Sequence, residues 1–278
     1  MNRIIAYIKL TRPLNVVIGI LGVLLGAYLT GDLRIAAALW CAVITVITFT
    51  GAANAINDYY DYEIDKINRP ERPLPAGLIP RSHARIFAYA MFTIGVVSSA
   101  LISSLAFAIA VGSAGFLVGY SRWWKRQPIF GNVVVGLMIG VAFVYGAAAF
   151  GDPWAAWPPA FMGFLYTWGR EIIKDLEDAE GDASLDAKTL PLLVGESRAK
   201  FFSSGLFLLL IFGVLAPYLM NIYNTLYLIM VVVGVDVPIL YITVQLWRSQ
   251  SSADYRRLSQ ILKADMFVGL LAVFVGTF

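Results

Sequence analysis

The sequence predicts an all-α integral membrane protein, a bundle of about nine transmembrane helices with its N-terminus in the cytoplasm. Three observations predict it. Of 278 residues, 59% are hydrophobic and only 14% charged, too little charge to cover a water-facing surface. The apolar runs are long and lack the alternation that barrel strands need, so backbone groups must be satisfied within helices. The basic residues, finally, fall on alternate connections.

Residues 1–12, with Arg3, Lys9 and Arg12, read as an amphipathic interfacial helix leading into a retained span, because Gly26-Ala27-Tyr28-Leu29-Thr30 is a poor cleavage site. Apolar runs follow at 14–30, 36–57, 86–101, 104–121, 131–149, 157–174, 202–220, 224–246 and 264–278. Several fall short of the ~20 residues that a ~30 Å hydrocarbon layer asks for, the last most of all. The stretch 86–121 is divided by no proline or glycine turn, yet as one helix it would be ~54 Å long. Both its flanks are basic, which requires an even number of crossings and places a tight hairpin near Ser103 and Ser104. With the N-terminus inside, 20 of the 21 Lys and Arg residues lie on the cytoplasmic side, and only Arg34 lies outside. No separate soluble domain is expected, so residues 1–278 form a single intramembrane domain.

The single cysteine, Cys41, excludes an intramolecular disulfide, and the single histidine, His83, argues against a zinc enzyme. Chemistry here must rest on carboxylates, basic groups or an oxygen-held metal. Twelve of the 18 acids lie in two short segments, 57–71 and 171–186, each at the cytoplasmic end of an apolar run. Asn57, Asp61 and Asp65 recur at i, i+4 and i+8 and drift only about 80° around a helix, so they form one oxygen-bearing stripe. Asp175, Asp178 and Asp182 fall within about 60° of one another, and Glu171 shares their face, although Gly181 is a candidate helix end. Like charges stacked on a helical face repel, and more so near lipid. A solvated acidic helix end explains two such stripes poorly in a chain so sparing of charge. Divalent cations offset the repulsion, since oxygen-only carboxylate sites suit Mg2+ or Mn2+ with phosphates completing the shell.

Basic groups stand beside both clusters. Arg69 and Arg72 lie on the proline-stiffened loop Asn68-Arg69-Pro70-Glu71-Arg72-Pro73-Leu74-Pro75-Ala76-Gly77, and Lys125 and Arg126 follow the fourth run. Arginine forks suit phosphate oxygens, which makes these four candidates for phosphate contacts. Tyr120, Phe143, Tyr145, Tyr166 and Trp168 are the aromatic side chains near these groups, with packing or lipid-facing duty the alternative to a role at the site. Asp236, a lone acid near the middle of the eighth run, is a functional candidate by its position, with a structural hydrogen bond equally open. The equal intervals from Asp61 to Asp178 and from Asp65 to Asp182 hint at two halves.

At the two acidic segments the sequence resembles the UbiA superfamily of intramembrane prenyltransferases. The pattern N-x-x-x-D-x-x-x-D matches Asn57, Asp61 and Asp65, and D-x-x-D-x-x-x-D matches Asp175, Asp178 and Asp182. The Arg-Pro-rich run that follows the first motif is similar to the superfamily as well, and so is Lys188-Thr189-Leu190-Pro191 beyond the other motif. The resemblance implies a helical bundle around a cavity open to lipid, with both motifs at its cytoplasmic mouth in the cell membrane. It implies catalytic Asp61, Asp65, Asp178 and Asp182, with Mg2+ held by these four together with Asn57 and Asp175. Asn57, Arg69, Arg72, Lys125 and Arg126, with Tyr120 and Tyr145, would bind substrate. Within the superfamily, Arg170-Glu171-Ile172-Ile173-Lys174-Asp175-Leu176-Glu177-Asp178 looks most like the archaeal branch that adds a geranylgeranyl group to geranylgeranylglyceryl phosphate. The implied partners are a prenyl diphosphate donor, an amphiphilic lipid acceptor and membrane lipid, with no nucleic acid. Chlorophyllide or an aromatic quinone precursor is the alternative acceptor. A carboxylate-based transporter is the alternative of another class, but its acids would sit near the bilayer midplane, where only Asp236 fits.

Overall fold

Each predicted apolar run lies on helix in the computed structural model, which describes residues 3–31, 36–125, 127, 129–183 and 188–278. Arg34, Arg126 and Asp186 lie outside the described residues, and no strand occurs among those described. The chain forms two compact units: residues 1–125 with 142–156, and residues 126–141 with 157–278.

The first unit opens with α1 (Arg3–Leu10) and α2 (Pro13–Leu29), which meet at a 50° bend. Pro13 suits a helix start because its missing N–H would be unsatisfied there anyway, and Arg12 before it takes φ 53° to make the corner. α1 buries Ala6 and Leu10 and exposes Ile4, Ile5 and Ile8. α3 (Ala36–Tyr60) is followed by the short α4 (Tyr62–Asn68), α5 (Arg81–Ala100) and α6 (Ser104–Gly119). The expected hairpin falls between α5 and α6, where Ser103 caps α6 by accepting from the Ala106 N–H at 3.1 Å. A π-helical turn, Tyr120–Trp124, ends this run. Ala6, Leu10, Phe49, Ile56, Leu74, Ile79, Ala88 and Phe92 form the core. Leu74 and Ile79 therefore anchor the proline-rich loop from both sides of its turn.

α7 (Phe130–Ala148) supplies its last seven residues, 142–148, to this unit. There it meets α2 at glycines: a Cβ on Gly26 would stand 2.0 Å from the Phe143 carbonyl oxygen, and one on Gly146 2.1 Å from that of Val23. Such small-residue contacts let helix backbones touch where lipid gives no hydrophobic drive between them. Tyr145 lies in the same region, with its hydroxyl 2.8 Å from Ser99 Oγ, which in turn lies 3.2 Å from Thr45 Oγ1. All three are buried.

The second unit holds residues 130–141 of α7, then α8 (Trp157–Ala183), α9 (Leu190–Val194), α10 (Glu196–Gly213) and α11 (Ala216–Leu219). α12 (Thr225–Val231), a second π turn (Val232–Asp236), α13 (Val237–Arg248) and α14 (Ser252–Val275) complete it. Gly136 and Gly140 seat α7 on the backbone of α8, and Gly169 of α8 receives the Phe207 ring of α10. α14 begins well before the predicted run at 264, with a capping box formed by Ser251 and Asp254.

Among the described residues, six helical runs are long and apolar enough to cross a membrane, and the bent pair α1–α2 makes seven. The two predicted crossings outside this count are α5 and α8. Each is long enough, but α5 carries Arg81, His83 and Arg85, and α8 carries the second acidic motif. Candidate spans expose large apolar side chains such as Trp40, Phe212 and Val233, as lipid-facing surfaces do.

Candidate active site

The first motif sits where α3 gives way to α4. Asp61 interrupts the helix, yet the i to i+4 backbone bonding runs on through it. The Asp61 N–H donates to Asn57 O at 2.9 Å, Asp65 N–H to Asp61 O at 2.8 Å, and Arg69 N–H to Asp65 O at 2.9 Å. Asn57, Asp61 and Asp65 thus keep helical register across the break, as their spacing predicts.

Their charges are met by basic groups of the same unit. Lys125 pairs with Asp61 and donates from Nζ to Asn57 Oδ1 at 3.1 Å. The π turn sets this lysine: its N–H bonds Tyr120 O at 2.9 Å, five residues back, so the extra residue rotates Lys125 relative to a regular α-helix. Tyr120 opens that turn, and the Trp124 ring packs over Gly119. Arg72 reaches Asp65 Oδ2 at 2.6 Å and Asp58 Oδ1 at 3.4 Å, and Arg12 also pairs with Asp58. Burial pushes the Asp65 carboxyl above its usual range; Arg72 pulls it back down, while Asp61 and Asp58 push it further up. Arg69 lies at the end of α4, beside this ladder.

Asp58 and Arg12 were not among the residues assigned to the site from sequence. Asp58 is the most buried acid of the segment, 2% exposed, and carries both arginines. It lies one residue off the Asn57–Asp61–Asp65 stripe, so spacing alone leaves it out. Arg12 reads in the sequence as one more cytoplasmic charge.

The second motif lies wholly on α8. The helix runs on to Ala183, past Gly181, so Asp175, Asp178 and Asp182 are all helical and share one face. Asn132 of α7 donates to Asp175 Oδ2 at 2.8 Å. Glu171 is taken up by Arg170 at 3.1 Å and Lys174 at 2.8 Å. Off the motif face, Arg256 pairs with Glu177 at 3.0 Å and Ser252 Oγ donates to the Glu177 carbonyl at 2.8 Å, tying α8 to α14. Asn132 is a lone amide in an apolar run, and that isolation was its sequence signal.

Among the described residues no three acidic, histidine or cysteine side chains converge on one point as a ready metal cage. The donor set still fits Mg2+, which takes oxygen ligands and is commonly bound by one or two carboxylates plus substrate phosphates. Asp61 and Asp65 each have a cation of their own in Lys125 and Arg72, and both cations are suited to phosphate oxygens.

The UbiA prenyltransferase family model matches residues 15–271. The digeranylgeranylglyceryl phosphate synthase of Thermococcus kodakarensis is 37% identical over 278 residues, covering 98% of each chain. That of Methanothermobacter thermautotrophicus is 34% identical over 98% of this chain and 95% of its own. A solved structure from work on digeranylgeranylglyceryl phosphate synthase in membranes is 30% identical, with a TM-score of 0.81 over 100% of this chain and 99% of that one. A UbiA homolog from Archaeoglobus fulgidus bound to GPP and Mg2+ shares the fold at 18% identity, with a TM-score of 0.70 over 97% of this chain and 100% of its own. The chain belongs to the UbiA prenyltransferase family and is a prenyl-transferring enzyme.

Proposed function

We propose that this enzyme transfers a geranylgeranyl group from its diphosphate to the free hydroxyl of geranylgeranylglyceryl phosphate, an ether-forming step of archaeal membrane-lipid synthesis. The observation that carries the acceptor is the near full-length likeness to relatives named digeranylgeranylglyceryl phosphate synthase. In the reaction the allylic C–O bond to the diphosphate breaks, the glyceryl oxygen bonds the allylic carbon, and the hydroxyl proton is released.

Asn57, Asp61, Asp65, Asp175, Asp178 and Asp182 are the proposed oxygen ligands for Mg2+, supported by their two helical stripes and by the Mg2+-bound fold relative. Bound Mg2+ would neutralise the diphosphate and improve it as a leaving group. Arg72 and Lys125, already in contact with motif carboxylates, are proposed to hold diphosphate oxygens, and Arg69 and Arg126 are proposed for the same role. Asp58, which also pairs with Arg12, is proposed to orient Arg72. Tyr120, on the π turn, is proposed to face the prenyl group. Tyr145 has its hydroxyl in the Ser99–Thr45 chain and would offer its ring alone.

The chain is proposed to act as one domain of the cell membrane that crosses it nine times, with α5 and α8 completing the count. The N-terminus and both motifs lie on the cytoplasmic side, a placement that rests on the distribution of basic residues. Purified enzyme given radiolabelled geranylgeranyl diphosphate and Mg2+ should form product with geranylgeranylglyceryl phosphate. Product with chlorophyllide or an aromatic acid instead would overturn the acceptor while leaving the family intact.

A further inference from the structure

Two carboxyl groups lie within the apolar helices of the second unit, away from the Asp motif on α8. Asp236 closes the π turn Val232–Asp236, and Asp265 stands on α14; both are buried. The π turn has a local cause. Pro238 has no N–H for the Gly234 carbonyl and its ring crowds that oxygen, so the helix takes in an extra residue and Val237 N–H bonds Val232 O. Gly234 then admits α14 closely, since a Cβ there would stand 2.6 Å from Val268 Cγ1. Asp236 lies on the turn that packs against α14, and among the described residues its Oδ1 is buried without a hydrogen-bond partner. Arg170, one turn along α8 from Tyr166, is engaged by Glu171 and by the Ser259 carbonyl.

Tyr166 Oη stands 2.6 Å from the Leu262 carbonyl oxygen and 3.0 Å from Asp265 Oδ2. A phenol has one hydrogen, which an ionised Asp265 would share with the Leu262 carbonyl and a neutral Asp265 leaves to it. With that hydrogen on the shorter contact, a neutral Asp265 supplies the second hydrogen that lies along the 3.0 Å contact. An ionised Asp265 would place a charge beside a second acid and inside lipid-facing helices, where buried charge is costly.

We propose that Asp265 is a proton-holding site within the membrane, its neutral carboxyl donating to Tyr166 Oη, which donates to the Leu262 carbonyl. The chain of two hydrogen bonds fastens α8, the helix of the second motif, to α14 without placing a net charge among the apolar helices. Its ligand is a single proton. A monovalent cation on an Asp265 carboxylate is the competing occupant.

Infrared spectra of the purified full-length protein at neutral pH test this directly. The wild type is expected to show the C=O stretch of a protonated carboxyl that Asp265→Asn removes and Asp236→Asn retains. Tyr166→Phe deletes the acceptor and should move that band to the frequency of a carboxyl with a free O–H. A wild-type spectrum without a band assignable to Asp265, or a band unmoved by Tyr166→Phe, would overturn the proposal. So would a sodium-dependent carboxylate band lost in Asp265→Asn. If Asp265→Asn does not fold, the Tyr166→Phe shift decides alone.

Discussion

Asp61→Ala and Asp178→Ala are each expected to lower Mg2+-dependent prenyl transfer by about 10²–10³-fold. Each removes one proposed oxygen ligand, and a metal's stabilisation of developing charge is worth several kcal/mol, at about 1.4 kcal/mol per tenfold in rate. The fold should survive both changes. Lys125, the partner of Asp61, is about a third exposed and keeps its bond to Asn57 Oδ1. Asp178 lies on a helix held elsewhere by Arg170 to Ser259 O and by Glu177 to Arg256. Turnover with radiolabelled donor, paired with thermal melts in detergent, separates lost chemistry from lost structure. Full activity in both variants would remove the carboxylates from the reaction.

The second large effect is on stability. Gly26→Ala and Gly146→Ala place a methyl group about where a backbone carbonyl now lies, 2.0 Å and 2.1 Å away. A flexible side chain can turn aside, but these neighbours are main chain in α2 and α7, so the helices must separate. Overpacking of this kind costs about 1–3 kcal/mol and sometimes more, and each variant should melt several degrees below the wild type. Gly115→Ala is the control: among the described residues a Cβ there meets nothing within 4 Å, and alanine is the better helix former by about 1 kcal/mol. A Gly115→Ala melt as low as that of Gly26→Ala would contradict the close-contact explanation.

Much of the architecture was legible because lipid imposes a simple rule. Where the apolar run is unbroken, as in α3 or α7, hydropathy finds the helix within a few residues. The hairpin at Ser103 was legible for a different reason, since one helix over 86–121 would be too long and its flanks are both basic. Hydropathy marks α5 and α8 less clearly because Arg81, His83 and Arg85 on the one, and the acidic motif on the other, lower the mean apolarity of the helix. Neither π turn announces itself in the pattern. The one at Tyr120–Trp124 has no proline to mark it, although the one at Val232–Asp236 has Pro238 just beyond.

The two stripes were readable because periodicity alone aligns Asn57 with Asp61 and Asp65, and Asp175 with Asp178 and Asp182. What periodicity could not supply was pairing between elements. Arg12 and Asp58 are 46 residues apart, Lys125 and Asp61 are 64 apart, and Asn132 and Asp175 are 43 apart. Gly181 is a weak helix former by intrinsic propensity, but α8 continues past it to Ala183. Asp265 was hidden by the opposite effect: close to Lys263 in the sequence it reads as part of a charged helix start, whereas its hydrogen bond is to Tyr166 on α8.

The carboxylate motifs are proposed to take up a divalent ion together with the donor diphosphate. Electron paramagnetic resonance of Mn2+ titrated into the purified protein, with and without a non-reactive prenyl diphosphate analogue, tests it most directly. Tight Mn2+ uptake that depends on the analogue, and is lost in Asp61→Asn and in Asp178→Asn, is the expected result. Uptake unchanged in both variants, or no uptake beyond that of the analogue free in solution, would contradict the account.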